Sequence, residues 1–281
     1  MGASCGMLIW LCQKYRHDIS QIPKWLFILM LAWVGVKLLY ILSETENCWQ
    51  PDKSKKFVPI VIMLLASVSA GKGSKQVLNL TAILAAACVT GLAVISVIAI
   101  PEADIRLANQ SSKWWSAEFA AASLLPISIS ILPQEKGKKN WKGFAAVAAS
   151  CVVITVVING VLSPWMVGNY ENPFYEMSKA LSILNLARRF EVIVASMMIT
   201  GWFVTCAIYQ SAATEVIDSL TGGKSKLLNW VMTLTIIGIY LLDLSVGAET
   251  VLIADSVMII SAVPVHMKNK KEKPQKSEKS S

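Results

Sequence analysis

Long apolar blocks alternate with short polar stretches along most of this chain. Eight blocks reach or approach the length of a membrane span: Trp25–Leu42, Phe57–Ala70, Val77–Ile100, Trp115–Leu132, Phe144–Met166, Phe190–Thr214, Leu227–Leu242 and Val246–Val265. A helix crosses the hydrocarbon core with about 20 residues, whereas barrel strands are segments of about ten alternating residues. The blocks are continuous, and backbone groups in lipid must hydrogen-bond internally. The pattern therefore predicts an all-α, polytopic membrane protein with about eight or nine transmembrane helices.

The first apolar stretch, Met7–Cys12, is much shorter than the others. It is too short to cross a bilayer. We therefore expect the chain to begin partway through a helix.

The Lys and Arg residues are unevenly distributed between the predicted loops. With the tail His266–Ser281 in the cytoplasm, the inside loops hold 17 of the 26 Lys and Arg residues, the outside loops hold 8, and Lys37 lies within a block. Cytoplasmic loops of membrane proteins carry such an excess. The sequence thus predicts a transmembrane domain over 1–265, with its N-terminus outside, and a disordered, basic cytoplasmic tail over 266–281.

Composition narrows the possible chemistry. The chain is 54% apolar and 16% charged, with a net charge of +8 to which the tail contributes strongly. No aromatic residues interleave with the tail lysines, which argues against nucleic-acid binding. The six cysteines form no CxxC pair and the two histidines accompany no nucleophile motif, so we expect no metal, no cofactor and no enzymatic activity.

One region resembles a known family. Residues Asn172–Leu184 read Asn-Pro-Phe-Tyr-Glu-Met-Ser-Lys-Ala-Leu-Ser-Ile-Leu, and Arg188–Glu191 (Arg-Arg-Phe-Glu) open the next apolar block. This arrangement is similar to a segment of the spore germination permeases, the permease-like B subunits of germinant receptors. These belong to the amino acid–polyamine–organocation transporter superfamily. Gly71–Ile83, a glycine turn before a long apolar block, resembles the start of the family's fifth helix.

The resemblance implies a leucine-transporter-like fold, with ten helices in two inverted five-helix repeats. The long outside loop Val167–Arg189 would then join the seventh and eighth helices. The chain would start within the second helix and lack the first, which supplies part of the ligand site in this fold. Helices one, three, six and eight would line the ligand cavity.

Ionisable residues inside membrane segments are candidates for function. Lys37, with Trp33 one turn before it, is predicted to bind a ligand carboxylate or to pair with Glu118; alternatively, its stem extends to the outer interface. Glu118 would serve an amine ligand or a proton. Asp255 is the deepest acid, but the resemblance places it on a peripheral helix, where Ser or Thr neighbours are its expected partners.

Polar residues of the sixth and eighth helices complete the predicted ligand site. Pro126 frees a backbone carbonyl between Ser123 and Ser128, either as the break of a ligand-binding helix or as a simple kink. Ser196 and Thr200 either line the cavity or take part in small-residue helix packing.

Three functions fit these features. The first is the permease-like subunit of a spore germinant receptor, which would recognise a small nutrient, expected to be an amino acid, beside partner subunits in the spore inner membrane. The second is a proton-coupled amino-acid transporter of the same fold. The third is a non-transporting membrane scaffold.

Overall fold

The computed structural model describes residues 24–48, 56–72, 74–100, 103–104, 156–162, 166, 176–177, 190–222, 225–244, 246–247, 249–258 and 261. Its helices are α1 (Lys24–Cys48), α2 (Phe57–Ala70), α3 (Ser74–Ala99), α4 (Phe190–Thr221) and α5 (Ser225–Leu241). Residues 156–162 and 249–258 are also helical, and no strand occurs among the described residues. The all-α prediction is confirmed for this part of the chain.

The helices follow the apolar blocks but do not always end with them. The bounds of α2 equal the prediction, while α1 and α4 continue beyond it into polar sequence. α4 stops at Gly222, whose φ of 64° is left-handed and whose N–H donates to the carbonyl of Asp218. Glycine adopts this conformation without a steric penalty and commonly ends helices. Apolarity therefore locates the helices, whereas local backbone chemistry sets their ends.

Several predicted segments lie outside the described residues. They include Met7–Cys12, Trp115–Leu132, the tail and nearly all of Val167–Arg189. The predicted structure of these segments, the count of eight or nine transmembrane helices and the inverted-repeat fold therefore stay predictions.

α4 is the central helix of the described structure, because it packs against α1, α2, α3 and α5. The main core lies between α1, α2, α4 and α5 and includes Leu38, Met63, Ala213 and Ile236. A second core joins the end of α3 and the start of α4 to residues 156–162.

Two pairs of neighbouring helical segments run in opposite directions. Lys56, just before α2, contacts Asp243, just after α5, whereas Ser67 near the end of α2 contacts Asn229 near the start of α5. These two contacts make α2 and α5 antiparallel. α1 is likewise antiparallel to the 249–258 segment, because Lys37 meets Asp255 and the Tyr40 side chain clusters with Val251, nearer the start of that segment.

Two of the described helices contain stretches long and apolar enough to cross a membrane, Lys24–Glu46 and Val192–Asp218. α2 and the Leu227–Leu241 part of α5 are shorter apolar helices. Buried helices of soluble proteins share these properties, so the exposed side chains are more informative. The outer faces of α3, α4 and α5 carry large exposed apolar residues, among them Ile83, Val97, Val192, Ile193, Leu227, Val231 and Leu234.

Candidate functional site

Two predicted site residues lie one turn apart on α1 and face the core. Trp33 and Lys37 are four residues apart, a spacing that places side chains on one helix face. Both are buried, and Lys37 is 0% exposed. The rest of this face is apolar, so the lysine charge requires a partner within the bundle.

That partner is Asp255, in the 249–258 segment. The Lys37 Nζ donates to Asp255 Oδ2 at 2.5 Å, and the Trp33 Nε1 donates to Asp255 Oδ1 at 2.7 Å. Asp255 is only 4% exposed. Both carboxylate oxygens are therefore held by side chains of one helical turn, and the pair is electrically neutral.

An aromatic wall borders this ion pair. The Lys37 ammonium lies 5.7 Å from the centre of the Trp33 ring, within the range of a cation–π interaction. Tyr209 of α4 meets Trp33 edge to face, with ring centres 5.9 Å apart. α1, α4 and the 249–258 segment thus converge on Lys37, Asp255, Trp33 and Tyr209, which we call the charged site.

The structure corrects two expectations about these charges. The expected extension of Lys37 to the outer interface is wrong, because its ammonium is buried against Asp255. The expected Ser or Thr partners of Asp255 are also wrong, since Lys37 and Trp33 hold both of its oxygens. Sequence reasoning left Asp255 out of the site, although a lone lysine in one apolar block and a lone central acid in another signal a pair.

Ser196 and Thr200 are hydrogen-bonded within their own helix. Their hydroxyls donate at 2.8 Å to the carbonyls of Val192 and Ser196 in α4. Both hydroxyls are therefore satisfied locally, and neither of these bonds reaches the charged site.

Glu118, Ser123, Pro126 and Ser128 lie outside the described residues. Their place in a ligand site stays a prediction. Among the residues that the structure does describe, no three His, Cys, Asp or Glu side chains form a group suited to a metal ion.

A second buried polar group lies where α2, α4 and α5 meet. Gln210 of α4 donates through Nε2 to the Met63 carbonyl at 3.3 Å, and Nε2 also lies 3.0 Å from Met63 Sδ. Asn229 of α5 donates through Nδ2 to Ser67 Oγ, and the Thr233 and Ser67 hydroxyls are also hydrogen-bonded, both at 3.1 Å. We call these five residues the polar junction. It is uncharged, unlike the charged site.

A third group joins helix ends on the surface. Lys56 forms an ion pair with Asp243, and its ammonium lies 6.0 Å from the centre of the Tyr240 ring. The Tyr240 hydroxyl donates to Glu46 Oε2 at 2.6 Å. The end of α1, the start of α2 and the end of α5 therefore lie together.

Comparison with known proteins adds no assignment. No family model, no curated protein and no solved structure matches this chain.

Proposed function

We propose that this chain is a multi-pass, permease-like membrane protein that recognises a small nutrient, taken to be an amino acid, as a subunit of a spore germinant receptor. The proposal places it in the spore inner membrane with a cytoplasmic C-terminus, beside partner subunits. The Asn172–Glu191 resemblance supports the family, and the charged site supports ligand recognition.

The observation that carries the proposal is the distribution of polar and apolar side chains. A lysine, an aspartate and several polar residues are buried between the helices, while large apolar residues cover outer faces. Exposed apolar surface of this kind marks a partner or a membrane. Ionisable residues of membrane proteins face the bundle interior, pair there and mark ligand or ion pathways.

The charged site favours a ligand that carries both charges. A simple carboxylate that bound Lys37 would displace Asp255 and leave its charge buried without a partner, which is costly. A simple amine would leave Lys37 unpaired in the same way. An amino-acid zwitterion would offer its carboxylate to Lys37 and its ammonium to Asp255, so no buried charge would lose its partner.

Such an exchange would couple ligand binding to helix position. The Lys37–Asp255 contact holds α1 against the 249–258 segment. A ligand between the two side chains would separate these elements, and the separation would be the signal passed to partner subunits.

A ligand-dependent thermal shift tests this function. The purified full chain, with its partner subunits, would be heated with a panel of amino acids and with matched carboxylic acids and amines. We expect an amino acid to raise the unfolding midpoint, because binding to the folded state stabilises it. Neither the matched acid nor the matched amine should do so.

Variants identify the site. Trp33→Phe keeps the ring but removes the N–H that positions Asp255, and it should weaken the response to the amino acid. Lys37→Met should abolish the response, whereas Lys56→Met, which removes a partly exposed lysine of a surface ion pair, should retain it. Absence of a shift with every nutrient, or an undiminished shift in Lys37→Met, contradicts the proposal.

A proton-coupled transporter is the second candidate, and the buried Lys37–Asp255 pair favours it because such groups form proton relays in transporters. Proton-dependent uptake into vesicles that contain only this chain would support transport, and we expect Glu118→Gln and Asp255→Asn to abolish it. A nutrient-dependent thermal shift without uptake would favour the receptor subunit.

A further inference from the structure

The two amides of the polar junction are deeply buried, and neither uses its carbonyl oxygen. Gln210 is 0% exposed and Asn229 is 1% exposed. Both direct their amide nitrogens to α2, at Met63 and Ser67. Gln210 Oε1 and Asn229 Oδ1 have no hydrogen-bond partner among the described residues.

The partners of the two amide nitrogens set the direction of each amide group. The Met63 carbonyl can only accept, so the Gln210 nitrogen must face it and Oε1 must face elsewhere. The Thr233 hydroxyl has one hydrogen, which it donates to the Asn229 carbonyl at 2.8 Å. Ser67 Oγ lies 3.1 Å from Thr233 Oγ1 and accepts from the Asn229 nitrogen, so Asn229 directs its nitrogen and not Oδ1 to Ser67.

The two amides contact one turn of α2. Met63 and Ser67 are four residues apart, or about 6 Å along the helix axis. α4 supplies Gln210 at the Met63 level, and α5 supplies Asn229 at the Ser67 level. Two amides from different helices thus contact the same turn of α2, beside the hydroxyls of Ser67 and Thr233.

Buried acceptors without donors are costly, so a bound species that compensates them would stabilise this packing. Neutral carbonyl and hydroxyl oxygens suit a monovalent cation, as in the carbonyl-lined sites of channels and transporters. Sites for divalent cations instead rely on carboxylates, and none belongs to the polar junction. We propose that the polar junction binds an alkali-metal cation, Na⁺ or K⁺, between α2, α4 and α5.

The full chain in detergent tests this site without any nutrient. Its unfolding midpoint would be measured in sodium, potassium and choline chloride at equal ionic strength, because choline is too large for the junction. We expect Na⁺ or K⁺ to raise the midpoint by roughly 3–6 °C at ten times its dissociation constant. The effect should saturate with concentration, unlike general screening of surface charge.

Two variants assign the effect to the junction. Gln210→Met keeps the side-chain length and removes an oxygen ligand, so it should abolish the difference between the salts. Asn229→Asp keeps the shape and adds a charge, so it should enlarge the difference. Thr235→Val is the matched control, since Thr235 is an exposed α5 residue bonded only to its own helix, and it should keep the wild-type difference.

Equal midpoints of the wild-type chain in the three salts overturn the proposal and leave an ordered water as the partner of these oxygens. A cation effect that persists unchanged in both Gln210→Met and Asn229→Asp also overturns it, since the cation would then bind elsewhere. If Gln210→Met does not fold, an unchanged difference between the salts in Asn229→Asp is sufficient to overturn the proposal.

Discussion

At the residue scale, the Lys37–Asp255 pair is the feature with the largest energetic consequences. Removal of one member of a buried ion pair leaves the other charge without compensation, which typically costs about 3–5 kcal/mol. Replacement of both members by apolar side chains of similar size is often neutral or stabilising. Comparison of the single and the double replacement therefore distinguishes the contribution of charge balance to stability from the contribution of packing.

We therefore expect Lys37→Met alone to lower the free energy of unfolding by about 3–5 kcal/mol. The double variant Lys37→Met, Asp255→Leu should recover most of this loss. Denaturant unfolding of the four chains of the double-mutant cycle measures the coupling.

Lys56→Met is the exposed counterpart, because Asp243 in that pair is largely solvent-exposed. Its cost should be at most about 1 kcal/mol, as is usual for surface pairs.

Additive effects of the two substitutions at the charged site would show that Lys37 and Asp255 do not stabilise each other.

At the scale of elements, two glycines permit close approach between segments, but the groups they face differ. A Cβ on Gly160 would lie 2.9 Å from the Cβ of Ala103 and 3.4 Å from its backbone Cα. A Cβ on Gly91 would meet only the tip of the flexible Met197 side chain, at 2.2 Å. The first contact can be relieved only by movement of the backbone, and the second by a rotamer change.

Gly160→Ala should consequently destabilise the protein by about 1–3 kcal/mol, the usual cost of overpacking. Gly91→Ala should be nearly neutral, since alanine also favours the helix by about 1 kcal/mol relative to glycine. Thermal unfolding of the two variants side by side measures the difference. Equal losses would mean that Met197 is as rigid as the backbone at Ala103.

At the scale of the whole molecule, the antiparallel directions of α2 and α5 place Leu244 and Lys72 at opposite ends of this helix pair. Leu244 follows α5 at the end that carries the Lys56–Asp243 pair, while Lys72 follows α2 at the opposite end. Both residues are exposed. α4, with 32 residues, is about 48 Å long and exceeds the roughly 30 Å hydrocarbon core.

In the proposed topology, a cysteine from Leu244→Cys lies outside and one from Lys72→Cys lies in the cytoplasm. An impermeant maleimide added to intact cells should label the first above the wild-type background. It should label the second only after permeabilisation. Labelling of both positions from the same side would exclude this topology.

Much of the helical architecture could be predicted from the sequence, because continuous apolarity is a local property. The pairing of Lys37 with Asp255 could not, since these residues are 218 positions apart and only tertiary packing brings them together. The resemblance assigned Asp255 to a peripheral helix and so obscured the pair. Ser196 and Thr200 show that a polar residue in an apolar block does not by itself indicate a site, because its hydroxyl can be hydrogen-bonded within its own helix.

The same 218-residue separation has a consequence for biosynthesis. The ribosome completes α1 long before it makes Asp255, so in the proposed membrane topology the inserted Lys37 would wait for its partner during the synthesis of 218 further residues. A lysine at the centre of a membrane helix costs about 2.5–3.5 kcal/mol during insertion. In that topology, α1 should remain near the insertion machinery until the 249–258 segment arrives, and nascent chains that stop before residue 255 should be prone to degradation.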